Sequence, residues 1–238
     1  MLLDIETSPI IGYTWGVREI DVIKRIKTFT ILSVAYQWLE DKTVRVLACD
    51  TMTERQLLAR LHALLHEAEI VVAHNGESFD IKKINARLIT HRFKPPSPFR
   101  IVDTRKEAKN IAAFDSNKLN ELGIDLGEGE KIKHRGFDMW EGCMAGKRSD
   151  WLDMKRYNKQ DVVVLRRIFL RLRPWIRHYP LEYDACRCGS KRANKRGFRV
   201  TKSAKFVRLQ CLECGSWRDG DRLKRLPTPK AVTRRFRV

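Results

Sequence analysis

The chain opens Leu2-Leu3-Asp4-Ile5-Glu6-Thr7. If residues 2–6 form a strand, Asp4 and Glu6 are two apart and their side chains leave on one face. Two neighbouring carboxylates repel each other, so such a pair either faces water at a strand end or surrounds a positive charge. Magnesium or manganese, which prefer hard oxygen ligands, suit the second arrangement. The pair alone does not decide between them; further ligands have to come from distant parts of the chain.

Ser8-Pro9 ends the extended ladder, and the chain then reads as irregular to about residue 28, with Trp15 either packing on the domain or stacking on a base. Phe29 to Leu39 and Thr43 to Cys49 read as strands joined by the turn Glu40-Asp41-Lys42, giving with the first strand an antiparallel meander. Leu57, Leu58, Leu61, Leu64 and Leu65 then repeat at helical spacing, with Thr53 or a neighbour as cap. Ile70-Val71-Val72-Ala73 is a short strand suited to burial beside the first, and Asp80 to His91 a second helix. Pro95-Pro96-Ser97-Pro98 precedes a brief strand from Phe99 to Val102, and residues 116–123 read as a short helix stopped at Gly123. Asp125 to Arg148 either covers a site or connects elements. A last helix runs from near Asp153 to about Arg173, where Pro174 ends it. Strands followed by alternating helices and strands predict an α/β domain with a mixed sheet flanked by helices.

Two further segments carry acids. His74 to Asp80 is a glycine-containing loop at a strand's carboxyl end, a favoured place for ligands. There Asp80 has the position of a helix cap, and Asn75 either orders the loop or meets a substrate phosphate. On the last helix Tyr157 and Asp161 are four apart and share a face. Asp4, Glu6, Asp80 and Asp161 together suffice for two divalent ions about 4 Å apart, one activating water and one stabilising a departing 3′ oxygen. With an ordinary pKa of about 10, Tyr157 is a poor base, and orienting that water is its more natural task.

Asp4-Ile5-Glu6, Asn75-Gly76-Glu77-Ser78-Phe79-Asp80 and Tyr157-Asn158-Lys159-Gln160-Asp161 resemble the three motifs of the DEDDy branch of 3′–5′ exonucleases, and the chain is most similar to those of bacteria and phages. The resemblance covers about residues 1–180 and implies a ribonuclease H-like domain with a five-stranded mixed sheet. It implies Asp4, Glu6, Asp80 and Asp161 as ligands of two magnesium or manganese ions and Tyr157 as the water-orienting residue. It also implies that Thr7 touches the terminal nucleotide and that Asn75 helps hold the strand.

Cys186-Arg187-Cys188-Gly189 and Cys211-Leu212-Glu213-Cys214-Gly215 lie 22 residues apart near the end of the chain. Four clustered cysteines in a chain expected to be cytosolic read as a metal site before they read as disulfides, and the segment resembles a zinc ribbon over residues 184–222, with Cys186, Cys188, Cys211 and Cys214 on one structural zinc ion. Cys49 and Cys143 stand apart and read as core thiols. Residues 186–238 hold 17 basic and 3 acidic residues, so they carry +14 of the formal +19. Between the cysteine pairs, Lys191, Arg192, Lys195, Arg196, Arg199, Lys202, Lys205 and Arg208 crowd around Phe198 and Phe206, and a basic tail over 223–238 adds Arg234, Arg235 and Arg237. Such density fits a nucleic acid better than a small metabolite. No run approaches the length of a membrane span and none reads as a secretory leader, so a cytoplasmic protein is expected. The expectation is a 3′–5′ exonuclease acting on single-stranded or frayed DNA. RNA trimming, or a non-catalytic nucleic-acid adaptor working with replication or repair proteins, stand as alternatives.

Overall fold

The structure, a computed structural model, describes residues 1–16, 21–176, 179–180, 185–201 and 203–225, with backbone alone for 222–225. The chain divides into two compact units, Met1–Leu172 and Arg173–Val238. In chain order the first unit holds β1 (Leu2–Thr7), β2 (Ile11–Tyr13), β3 (Lys24–Lys27), β4 (Ile31–Gln37), β5 (Arg45–Ala48), α1 (Glu54–Glu67), β6 (Ile70–Ala73), α2 (Asp80–Thr90), β7 (Arg100–Asp103), α3 (Thr104–Ile111), α4 (Leu119–Asp125), α5 (Phe137–Met144) and α6 (Arg148–Leu172). Five of the strands form one sheet in the order β5-β4-β1-β6-β7. β4 is antiparallel to β1 and β5, whereas β6 is parallel to β1 and β7.

The alternation along β1 divides its residues between two layers. Leu3 and Ile5 pack with Leu57, Leu58, Leu61 and Leu65 of α1 and with Ile84 of α2. Each of those α1 leucines is fully buried, worth roughly 1.5–3 kcal/mol apiece. On the other face Leu32 and Ala48 pack with Met139, Trp151, Met154 and Tyr157 of α5 and α6. Thr53 caps α1 in a reciprocal box with Gln56. Glu54, in the first turn of α1, accepts from the Ile31 amide at 2.9 Å, from Arg87 at 2.6 and 2.8 Å, and pairs with His91 at 3.0 Å. That cluster ties α1, the far end of α2 and β4 together.

Several sequence expectations change. Residues 8–28, read as irregular, contain the β2–β3 hairpin, in which Ile11 pairs with Lys27 and Tyr13 with Lys24. Its residues are mostly exposed, so no buried face imposed a readable alternation. The short helix does not stop at Gly123. It runs from Leu119 to Asp125, and Gly123 lies inside it because a Cβ there would meet the Gly129 carbonyl at 2.3 Å and Val164 at 3.1 Å. The last helix begins at Arg148, five residues before the expected start. α3 and α5 were not expected, being eight residues each and too short to show a clear period.

The second unit begins with the 3-10 turn Arg173–Trp175 and holds a three-stranded antiparallel sheet, ordered β10-β9-β8, from β8 (Ala193–Val200), β9 (Ala204–Cys211) and β10 (Trp217–Arg225). No described helix is long and apolar enough to cross a membrane.

Candidate active site and zinc centre

β1 and α6 bring the acids together. Asp4, Glu6 and Asp161 offer carboxylate oxygens that all lie within 4.8 Å of one another. Asp80 is not part of that group. The sequence placed it as a helix cap, but Phe79 holds the cap position without a side-chain bond, and Asp80 Oδ1 instead accepts from the Ile5 amide of β1 at 3.1 Å. It nevertheless lies near enough to influence Asp4.

The electrostatics are those of a site short of positive charge. Burial, then the carboxylates of Asp80, Glu6 and Asp161, hold the Asp4 carboxyl well above its ordinary range. Burial and Asp161 push Glu6 up to about 8. Burial lifts Asp80 to about 7 against the Ile5 amide, and lifts Asp161 against the pull of Lys131. Among the described residues, Asp161 Oδ1 is buried with no hydrogen-bond partner. An orphaned carboxylate oxygen amid mutually repelling acids fits a divalent cation, with Asp4, Glu6 and Asp161 as its natural holders.

Lys131 supplies the main nearby counter-charge. Its ammonium donates to Asp161 Oδ2 at 2.6 Å and to the Tyr157 hydroxyl at 3.0 Å. Burial works against that charge, yet Asp161 and the two hydrogen bonds more than offset it and keep Lys131 charged beyond its ordinary range. Tyr157 is itself pushed up to about 12, by burial and by Asp161. Its ring meets His134 edge-on at 4.7 Å and Trp140 at 6.1 Å. The Trp140 indole lies close enough to Glu6 to favour its charged form. The stretch from Asp125 to Arg148, whose role the sequence left open, therefore lines the acidic site.

Asn158 is a further participant that sequence reading missed. Fully buried, it donates to Asp4 Oδ2 at 2.6 Å, while its Oδ1 accepts from the Ser33 hydroxyl at 2.9 Å. Its signal was available, since it sits three residues before Asp161 and so shares that acid's helix face.

The loop after β6 is held by Asp103, which caps α3 and accepts from the Asn75 amide at 2.9 Å and the Glu77 amide at 3.3 Å. Asn75 takes a left-handed φ of 65°, and its Oδ1 accepts from Arg105 at 3.0 Å. Thr7 lines a cavity of about 360 Å³ whose walls include Ile10, Phe29, Lys83 and Trp140.

In the second unit the four sulfurs of Cys186, Cys188, Cys211 and Cys214 also fall within 4.8 Å of one another. The Cys186–Cys214 and Cys188–Cys211 separations are 3.5 and 3.7 Å. A tetrahedron with zinc–sulfur bonds of about 2.3 Å has edges of about 3.8 Å, so the donor set fits zinc. Burial opposes ionisation of Cys211, but the backbone amides of Cys214 and Glu213 bring its thiol down to about 6.

The expected basic residues lie on and around this sheet. Lys191, Lys195 and Arg196 are exposed. Arg192 pairs with Glu213 at 2.7 Å and Arg199 with Asp219 at 2.7 Å. Lys205 stands 4.2 Å over Phe198, Arg208 4.5 Å over Trp217, and Arg199 5.0 Å over Phe206. Lys202 and the tail residues Arg234, Arg235 and Arg237 fall outside the described residues.

A family model described as the RNase H superfamily matches residues 2–173. A comparison with curated proteins returns no match. Among solved structures, the chain is similar to the family B DNA polymerase from the hyperthermophilic archaeon Pyrobaculum calidifontis, with a TM-score of 0.56 and 13% identity. The likeness covers 73% of this chain but 24% of the polymerase, so the chain spans about a quarter of that protein's length. At that identity the likeness is one of fold, and fold alone does not carry a function.

Proposed function

The chain belongs to the RNase H superfamily, and from that premise we propose that it is a metal-dependent nuclease that removes nucleotides from the 3′ end of a single-stranded or frayed DNA. The observation that carries this reading is the convergence of Asp4, Glu6 and Asp161 around the unpartnered Asp161 Oδ1. Asp80, whose Oδ1 accepts from the Ile5 amide, would add a fourth carboxylate, and the four acids would hold two magnesium or manganese ions. Bound there, the ions supply an activated water and charge for the departing 3′ oxygen.

The remaining roles belong to the chain's own side chains. Asn158 fixes Asp4, and Trp140 stands beside Glu6 and favours its charged form. With its pKa at about 12, the Tyr157 hydroxyl stays protonated and orients water by hydrogen bonding. Thr7 and Asn75 contact the terminal nucleotides. The nuclease domain, expected over residues 1–180, corresponds to the compact unit Met1–Leu172, and the zinc ribbon, expected over 184–222, continues through β10 to Arg225; the cations of the ribbon and of the basic tail hold strand phosphates.

One observation favours a second reading. Because the Lys131 ammonium already neutralises Asp161 at 2.6 Å, a non-catalytic nucleic-acid adaptor of this fold needs no ion for its integrity. The deciding experiment uses matched DNA and RNA oligonucleotides labelled at either end, with and without magnesium or manganese. Stepwise loss from the 3′ end of DNA in the presence of metal supports the proposal. A strong preference for RNA reassigns the substrate, and strand binding without nucleotide release at any ion concentration selects the adaptor.

A further inference from the structure

The β2–β3 hairpin is a small structure in an unexpected state. Two short strands without a covering layer are marginal in water, and a chain that keeps them usually has something to place on them. Here Tyr13 is 61% exposed and Trp15 85% exposed, with Ile23 and Ile26 also facing solvent. The two strands carry Lys24, Arg25 and Lys27 and no acid. Planar rings and cations are neighbours in the register itself, since Tyr13 lies opposite Lys24.

The hairpin is also continuous with the acidic site. Ile10, at its base, lines the cavity of about 360 Å³ together with Thr7, Phe29, Lys83, Phe137 and Trp140. Thr7 follows the acid Glu6 in β1, and Trp140 lines the cavity and stands near Glu6, so cavity and carboxylates share a wall. Lys83 stands 3.8 Å over the Phe29 ring, which repeats the pairing of cation and aromatic face within the cavity.

We infer that the cavity and the β2–β3 hairpin form a platform for a single nucleic-acid strand, with bases stacking on Tyr13 and Trp15 and phosphates meeting Lys24, Arg25 and Lys27. Alternating π-faces and cations match the chemistry of an unpaired strand, in which every base has a face and every link a charge. A protein partner fits less well, because lysine is depleted at protein interfaces, whereas this surface interleaves its apolar groups with Lys24 and Lys27. The inference rests on the nuclease reading only in taking the acidic site as the strand's destination.

The test measures binding of a fluorescein-labelled oligothymidylate to the full chain in buffer without added magnesium or manganese. The variants are Tyr13→Ser with Trp15→Ser, and Lys24→Ser with Arg25→Ser. All four positions are exposed, and matching thermal melts establish that the fold is intact. The aromatic pair should weaken binding by about tenfold or more and leave the salt slope unchanged. The charge pair should reduce the slope of log affinity against log salt by about 1.4, the value for two phosphate contacts on a single strand. Wild-type affinity in the aromatic variant, or a loss confined to the charge variant, overturns the platform. A hairpin-dependent strand that is never cut would instead sink the nuclease reading and leave the platform standing.

Discussion

Asn158 precedes Asp161 by three positions on α6, and its amide donates a 2.6 Å hydrogen bond to Asp4 on β1. One helix face thus holds an acid of the site and also orients another acid from the sheet. Replacing Asn158 with Leu removes the donor to Asp4 and leaves the buried Ser33 hydroxyl without its acceptor. Manganese affinity should fall by about 10–100-fold, as for other groups that orient metal ligands. Isothermal titration would check it; unchanged affinity would separate Asn158 from the metal site.

Removing Asp161 should do more. In Asp161→Ala the loss of cleavage should exceed the roughly 100-fold expected for an orienting group, while oligonucleotide affinity stays near that of the native chain. A 3′-labelled strand incubated with magnesium reads the first quantity and fluorescence anisotropy the second. Normal cutting by this variant would eliminate the proposed site.

Lys131 competes with any cation for Asp161, since its ammonium already occupies Oδ2 at 2.6 Å. Lys131→Met should therefore tighten manganese binding and, without metal, lower stability by about 1–3 kcal/mol. That is less than a fully buried pair would cost, because the lysine side chain is 31% exposed. Denaturant melts with and without manganese would show both effects, and a variant as stable as the native chain in metal-free buffer would contradict them.

His74 gives a pH signature separate from the metal site. Burial lowers its pKa from 6.5 to about 4, against the opposing pull of the Asn117 carbonyl. Between those values the unfolded chain takes up a proton that the folded chain refuses. This contribution is therefore complete above pH 6.5 and is lost as the pH falls towards 4, on the order of 3 kcal/mol in all. Thermal melts of the native chain and His74→Gln should diverge across this window, and parallel curves would show that the ring titrates normally.

The sulfur cluster predicts one zinc per chain by elemental analysis. Chelation, or Cys211→Ser, should erase the β8–β10 amide protection in hydrogen exchange while β1, β4 and β6 keep theirs. Protection that survives complete metal removal would show that the ribbon folds without zinc.

The sheet and its acids were legible because each left a periodic or motif signature. β1 alternates, α1 repeats its leucines, and Tyr157 and Asp161 sit one turn apart. Lys131 and Trp140 were not, since they come from a glycine-rich stretch and an eight-residue helix whose positions are set by tertiary contacts. The hairpin escaped because both its faces are open, leaving no inside to alternate with an outside. Asp80 was placed at the right helix end, but its bond to Ile5 crosses 75 residues of sequence, a reach that local capping rules do not see.

The lock between Glu54 and Arg87 has a consequence for genetics. Arg87 sits two turns along the helix whose first residue is Asp80, so loosening the lock leaves Asp4, Glu6 and Asp161 unchanged but frees the rod that holds Asp80 against the Ile5 amide between two of them. In a mutational screen such an allele would be scored as a catalytic lesion, although its defect is mechanical.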